Sequence, residues 1–308
     1  MSVKQLLKDL APPLLVRAAR RLTKASRPFL APDSRPEWKC VPQGWDAEKS
    51  DPAIKGWNVQ SVLDTYRAKW DAFVRSMHGT GPFAVSPEAP VGAATPDLRY
   101  HNQIMTFAYA LALSTQGKSS LSILDWGGGI GHFNLIARSL LRDTTILYSC
   151  KDVPILAEYG QTLFPEAHFY SDEQCLSHLY DLVMASTSLQ YSRDWRETFR
   201  GLASASAGYL LVMGFPVAHQ SASFVFLQRP SQYGYDTEYL AWCVNREEFL
   251  GFAEQIHLEL VREFIDGRVI TVTGAPESCD YRGYLFRPVR RQTLVSQTEQ
   301  QDRRALPR

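Results

Sequence analysis

Ile123-Leu124-Asp125 runs into Trp126 and then into glycine at 127, 128, 129 and 131, and no other stretch of the chain narrows the fold as much. An apolar run that ends on an acid and turns through glycines reads as a strand end passing into a helix, expected to begin near His132. Glycine there permits positive φ and lets backbone approach a ligand closely, while the first N–H groups of the helix stay unpaired. A small anionic or hydroxylated ligand is expected at this turn. Spacing narrows the choice. The dinucleotide pattern G-x-G-x-x-G, begun at Gly127, meets His132 in its last position, and begun at Gly129 it meets Asn134. A phosphate-binding P-loop would close on Gly-Lys-Ser/Thr, which is absent.

A second element lies about twenty residues further on, at the end of the next apolar run, where a nucleoside-binding α/β unit places an acid for the ribose. Asp152 stands there, in Tyr148-Ser149-Cys150-Lys151-Asp152-Val153-Pro154. Its carboxylate can accept from both ribose hydroxyls. The alternative is that Asp152 only starts the helix at Pro154, since an acid just before proline is a common helix start.

From Leu121 onward short apolar runs alternate with helical patterns, the rhythm of a mostly parallel α/β sheet. Strands are expected at Ser122–Trp126, Thr145–Ser149, Ala167–Tyr170, Leu182–Ser186, Tyr209–Gly214, Leu258–Phe264 and Tyr281–Phe286. Helices fit at Phe133–Leu141, Pro154–Leu163, Trp195–Ala203 and Arg246–Gln255. The stretch 216–242 reads as a lid or substrate loop. Upstream, apolar spacing of three and four predicts helices over Val59–Met77 and Tyr100–Leu113, taken together as a helical cap, with loop at 82–97. Residues 31–60 are assigned no regular structure. The domain division is therefore a basic amphipathic segment at 1–30, an extension and cap at 31–117, the α/β domain at 118–289, and a tail at 290–308 expected to be disordered.

The chain has 308 residues, 45% hydrophobic and 21% charged, which suits a globular core and excludes fibrous and disordered classes. A net charge of +1 supplies no field for nucleic acid, and none is expected as a partner. Locally, Lys4, Lys8, Arg17, Arg20, Arg21, Lys24 and Arg27 face only Asp9. Two readings of that basic segment stand equally: peripheral contact with an anionic membrane surface near lipid-linked substrates, or a solvated helix or subunit contact. Its apolar run, broken by Pro12 and Pro13, is too short for a signal sequence or membrane span, so a cytoplasmic location is expected. The five cysteines are scattered without a C-x-x-C pair, as expected of reduced thiols, and no metal site is expected.

The spacing acid-x-Gly-x-Gly-x-Gly at Asp125, Gly127, Gly129 and Gly131 resembles motif I of the class I S-adenosylmethionine (SAM) dependent methyltransferases. Tyr180 to Ser186 resembles their fourth-strand motif. A family of bacterial methyltransferases associated with surface-polysaccharide synthesis is similar over residues 38–288, through Gly56-Trp57, His101-Asn102, Leu124 to Gly129, Asp152-Val153-Pro154 and Ser188-Leu189-Gln190-Tyr191. The resemblance implies a doubly wound, mostly parallel seven-stranded sheet of the Rossmann-like methyltransferase type, with SAM as cofactor. It places Asp125, Gly127, Gly128, Gly129, Gly131, Asp152, Asp172 and Ser188 at the cofactor. A small-molecule or glycan acceptor, a sugar hydroxyl or amine, would meet Asn102, Tyr191 and His219, with His101 as the candidate base. Gly214 departs from the pattern, where a larger polar side chain is expected. Two rivals are a catalytically inactive, methyltransferase-like scaffold subunit in glycan assembly, and a nicotinamide-dependent oxidoreductase, which the missing third glycine disfavours.

Overall fold

The computed structural model describes residues 35–83 and 97–289. The basic segment 1–30, most of the loop expected at 82–97 and the tail 290–308 lie outside the described residues. Among the described residues ten strands form one sheet: β1 (Trp38–Cys40), β2 (Ser120–Trp126), β3 (Thr145–Lys151), β4 (His168–Tyr170), β5 (Tyr180–Ser186), β6 (Ser206–Ala218), β7 (Phe224–Gln228), β8 (Tyr239–Asn245), β9 (Leu258–Ile270) and β10 (Cys279–Pro288). Among the described residues six α-helices accompany them: α1 (Gln60–Met77), α2 (Leu98–Ser114), α3 (His132–Leu140), α4 (Pro154–Leu163), α5 (Trp195–Ala205) and α6 (Arg246–Gln255).

Seven strands run in the order β4-β3-β2-β5-β6-β10-β9, with β2 to β6 mutually parallel and β10 antiparallel to both its neighbours. Helices cover both faces, and this is the Rossmann-like methyltransferase fold expected from the sequence. The chain builds outward from β2 through β3 to β4, then returns to add β5 on the other side of β2. The crevice at such a reversal, beyond the carboxyl ends of the strands, is where ligands bind in open α/β sheets.

The core follows from a period of two. Ile123, Leu182, Met184, Leu211, Met213 and Leu285 pack on one face against Phe73 of α1, Ile104 and Phe107 of α2 and Ile136 of α3. Leu124, Val183, Ala185, Leu210, Val212 and Phe286 pack on the other against Phe199 of α5 and Phe249 of α6. Each such side chain, fully buried, contributes roughly 1.5–3 kcal/mol. On β6 the parity flips: Leu210 and Val212 share a face with Phe215 and Val217. A bulge at Met213-Gly214, opposite Gly283, inserts the extra residue.

Three sequence expectations are corrected. Residues 31–60 carry a short strand, β1, and a 3-10 turn at Gly44–Lys49. The stretch 216–242 is mostly sheet: β6 runs on to Ala218, and β7 and β8 pair antiparallel and extend the sheet past the far end of β6. The helices taken as a cap share the core of the sheet rather than standing over it. These strands were not legible because β7 and β8 are continuous apolar runs rather than alternating ones, buried on one face with Ile270 of β9 and Tyr281 of β10 and on the other with Trp45 of the 3-10 turn. No helix among the described residues is long and apolar enough to cross a membrane.

Candidate functional site

At the carboxyl ends of β2, β3 and β5 lies a cavity of about 360 Å³, within the range of small-molecule sites. Its walls come from the glycine turn (Trp126, Gly127), the end of β3 (Lys151, Asp152, Val153) and the segment after β5 (Ser186 to Ser188, Tyr191 to Arg193). Trp57 and Tyr66 close it from the N-terminal side.

The turn needs glycine for two separable reasons. Gly127 has φ +73°, and a Cβ there would lie 2.3 Å from Ser188 Cβ. Gly128 has ordinary φ, yet a Cβ would sit 2.5 Å from the Asp125 carboxyl, so any side chain would collide with the acid beneath the turn. Ser188 Oγ donates to Trp126 O at 2.6 Å and fastens the β5 loop to the turn.

Asp152 is the central charged group. Its Oδ2 accepts from Gly129 N at 2.7 Å and its Oδ1 from Val153 N at 2.6 Å. Burial raises its pKa above the ordinary carboxylate range, against the pull of those two N–H groups and of Lys151. Each oxygen still has lone-pair capacity for a ligand hydroxyl. Asp152 makes no side-chain cap to α4, whose N-cap is Val153; it binds the backbone of Val153 and Gly129 and lines the cavity.

Asp125 has a different place. It is fully buried, outside the cavity lining, and accepts from the Tyr148 hydroxyl at 2.5 Å. Burial, with the Asp152 charge adding to it, pushes its carboxyl up to about 7. It supports the turn from below. Gly131 likewise packs against Phe164 and Phe169 behind the turn. Gly128 and Gly129 line a smaller chamber beside the main cavity. Asp172 caps the 3-10 turn Glu173–Ser177 by accepting from Gln174 N, and its neighbour Glu173 lines the cavity instead.

Of the residues expected at the acceptor, Tyr191 lines the cavity and meets Trp57 edge-on at 5.0 Å, while Trp57 stacks on Tyr239 at 4.4 Å. The strap bearing Trp57 is tied down by Gly56 N to Glu238 O, Thr237 Oγ1 to Gly56 O and Ile155 N to Asn58 Oδ1. The other candidates stand apart from the described lining. His101 is turned from the Tyr100 and Gln103 side of α2 and stacks with Phe83 at 6.4 Å. Asn102 donates to Asp266 O on β9. His219, at the exposed end of β6, pairs with Asp280 at 3.1 Å.

The missing side chain at Gly214 has a steric cause. Gly214 has φ +60°, and a Cβ would lie 2.3 Å from Thr187 Oγ1 and 2.8 Å from Gln103 Nε2. Those two polar side chains occupy the space that a side chain at 214 would need. Thr187 itself has φ +51°, a strained conformation for a β-branched residue, held by its N–H to Met213 O at 2.8 Å. Tyr66, Thr187, Gln103 and Arg99 were not singled out from sequence. The three-residue spacing of Tyr100 and Gln103, which puts both on one face of α2, was the one available sign.

No protein-family model matches the chain, and no curated protein matches it. Among solved structures, magnesium protoporphyrin IX methyltransferase from Synechocystis PCC 6803 with bound SAM is 12% identical, covers 76% of this chain and 100% of its own, and has a TM-score of 0.44. An S-adenosylmethionine-dependent methyltransferase from Clostridium acetobutylicum is 10% identical over 73% of this chain and 98% of its own, with a TM-score of 0.43. The 1,6-didemethyltoxoflavin-N1-methyltransferase of Burkholderia thailandensis is 12% identical over 66% and 95%, with a TM-score of 0.39. None of the three fixes a substrate or the role of a residue here.

Proposed function

We propose that the chain is a SAM-dependent methyltransferase acting on a small-molecule or glycan acceptor. The observation that carries this reading is the pairing of Gly129 N with Asp152 Oδ2 at 2.7 Å. A dinucleotide's pyrophosphate needs the N–H groups of the glycine turn and no anion beside them. Here one of those N–H groups already serves a buried carboxylate on the cavity wall. That arrangement repels a phosphate and suits a ligand that brings ribose hydroxyls and a positive charge.

SAM fits on those terms. Asp152 would hold the ribose, Gly127 would let the chain past the turn, and Val153 and Leu156 with Tyr191 offer apolar surface for a base. When bound, the cofactor supplies a methyl group on a sulfonium whose leaving group is neutral. The residues of this chain then have to orient two reactants and keep water away, and orientation alone can lower a barrier by roughly 7–11 kcal/mol. Trp57, Tyr66 and Tyr191 would exclude water from the cavity. A sugar hydroxyl or amine as acceptor, within surface-polysaccharide synthesis, is supported by the sequence resemblance alone. Membrane contact through residues 1–30 rests on their charge, and vesicle flotation with and without them tests it: equal flotation removes the idea.

Calorimetric titration with S-adenosylhomocysteine tests the reading. The intact chain should bind, and Asp152→Ala should weaken binding tenfold or more, the loss of charge-assisted hydrogen bonds worth roughly 1.5–3 kcal/mol each. Absence of heat with either SAM or S-adenosylhomocysteine overturns it. A bound cofactor with no methyl transfer to any glycan acceptor would favour the scaffold reading.

A further inference from the structure

Helix α2 and strand β9 lie side by side at one edge of the sheet, joined by Asn102 Nδ2 donating to Asp266 O at 3.0 Å and by Tyr109 meeting Phe264 edge-on at 5.4 Å. Six of the ten large apolar side chains exposed among the described residues stand on these two elements: Leu98, Met105 and Tyr109 on α2, and Leu260, Ile265 and Val269 on β9. With Ala112, the α2 residues form one exposed stripe at spacings of seven, four and three. The stripe holds no charge. Arg99, the only Asp, Glu, Lys or Arg of α2, lines the smaller chamber instead. An outer helix face is ordinarily polar, and clustered apolar exposure marks a surface that another body covers.

Strand β9 adds an open edge. It is 13 residues long, pairs only with β10 among the described residues, and contains neither lysine nor proline, which commonly blunt such an edge. Its register also aligns the exposed side chains. Leu260, Ile265 and Val269 stand opposite Phe286, Arg282 and Asp280, which share a face of β10. Position 260 is even and 265 and 269 are odd, so the two register shifts in the ladder are what bring all three to one face. Counted along β10, Leu260 and Val269 fall three residues either side of Gly283, the partner of Phe264.

That symmetry selects the occupant. A lipid surface offers nothing to the backbone N–H and C=O groups of a strand edge, whereas another strand edge does. About a two-fold axis at Phe264, β9 of a second copy runs antiparallel, and each Leu260 lies opposite Val269 of the other copy. The two Ile265 side chains become diagonal neighbours, within reach of each other. On the helix side, Tyr109 stands at the same axis through its contact with Phe264, and Met105 is one helical turn away. Size agrees with this arrangement. A 13-residue strand is about 44 Å long, and with a helix about 10–12 Å across lying on it the flank is on the order of 800 Å² per copy, as a stable dimer needs.

We propose that two copies of this chain pair through the free edge of β9, antiparallel about a two-fold axis at Phe264, with the outer stripes of α2 meeting beside it. The inference does not depend on what the cavity binds.

Analytical ultracentrifugation of the full chain at micromolar concentration should give a dimer. Ile265→Lys and Met105→Glu should each raise the dimer dissociation constant about tenfold or more, with the circular dichroism spectrum unchanged. Thiol cross-linking tests the axis. Leu260→Cys combined with Val269→Cys should give a covalent dimer under mild oxidation, because opposite residues of an antiparallel pair lie within disulfide reach. Within one chain the two positions are about 20 Å apart and cannot close on each other. Either cysteine substitution alone should link far less. A monomeric unaltered chain overturns the proposal, and if that monomer floats with phosphatidylglycerol vesicles and Ile265→Lys abolishes it, the face binds lipid instead. A dimer that survives both charge substitutions, or that the paired cysteine substitutions do not link, also overturns it and places the contact elsewhere.

Discussion

Asp125 and His132 sit on either side of the glycine turn, and their responses to pH have opposite signs. Burial pushes Asp125 up to about 7, so between its unfolded value near 4 and 7 the folded chain holds a proton that the unfolded chain has lost. Stability from this group is greatest in acid and falls as pH rises through that window. His132, 4% exposed and ringed by Tyr66, Trp70 and Phe73, is lowered to about 3 by burial and by Lys69. Between 3 and 6.5 the unfolded chain binds the extra proton, so stability rises with pH. Between pH 5 and 7 the two effects are each about 2 kcal/mol and largely cancel. Asp125→Asn should therefore make the chain gain stability from pH 5 to 7, and His132→Phe should make it lose stability, in urea titrations at the two values. Parallel pH profiles for both variants would contradict this account. At this scale the sequence brought out Gly127, Asp152, Ser188 and Tyr191, which line the cavity, because each lies next to its own strand end. Thr187 and Gln103 were hidden, since what matters for them is a neighbour more than eighty residues away or a backbone angle.

Among the elements, β6 carries the most consequence. Its bulge at Gly214 reverses side-chain parity, so that Phe215 and Val217 stay in the core beneath α6, and it opens the space that Thr187 and Gln103 occupy. Gly214→Ala puts an L side chain at φ +60° and a methyl within 2.3 Å of Thr187 Oγ1. A cost of about 2 kcal/mol or more is expected, from backbone strain and overpacking together. S-adenosylhomocysteine binding should also weaken, because Thr187 lines both cavities. An alanine variant with unchanged denaturation midpoint and affinity would show that the bulge does not hold the site. Strand existence was readable from β2 to β6 because each run is bounded by turn residues. The bulge was not, since one inserted residue in an apolar run leaves hydrophobicity unaltered. Helix α2 was seen as an amphipathic helix, yet its placement on the sheet depends on which apolar face meets Leu211, Met213 and Leu285.

At the scale of the molecule, the cavity belongs to no single segment. Trp57 precedes α1, Tyr66 lies within it, and the glycine turn, Asp152 and Tyr191 follow at intervals along a chain whose ends of the site are more than a hundred residues apart. Only the complete sheet, with the strap tied to residues 237–238, assembles all of them. A ligand of this site thus binds the folded state and has no counterpart in the unfolded one, and it must stabilise the whole chain by mass action. At a free ligand concentration one hundred times Kd the gain is about 2.7 kcal/mol. For a chain with this much ordered structure, each kcal/mol moves Tm by roughly 2–4 °C, so saturating S-adenosylhomocysteine should raise Tm by roughly 5–11 °C. Asp152→Ala at the same ligand concentration should show about half that rise or less, since a tenfold weaker Kd removes about 1.4 kcal/mol of it. Trp57→Ala should reduce the rise too, through a strap contact that a nucleoside-binding α/β unit alone would lack. A Tm that responds equally in all three forms would mean that the ligand is held somewhere other than this cavity.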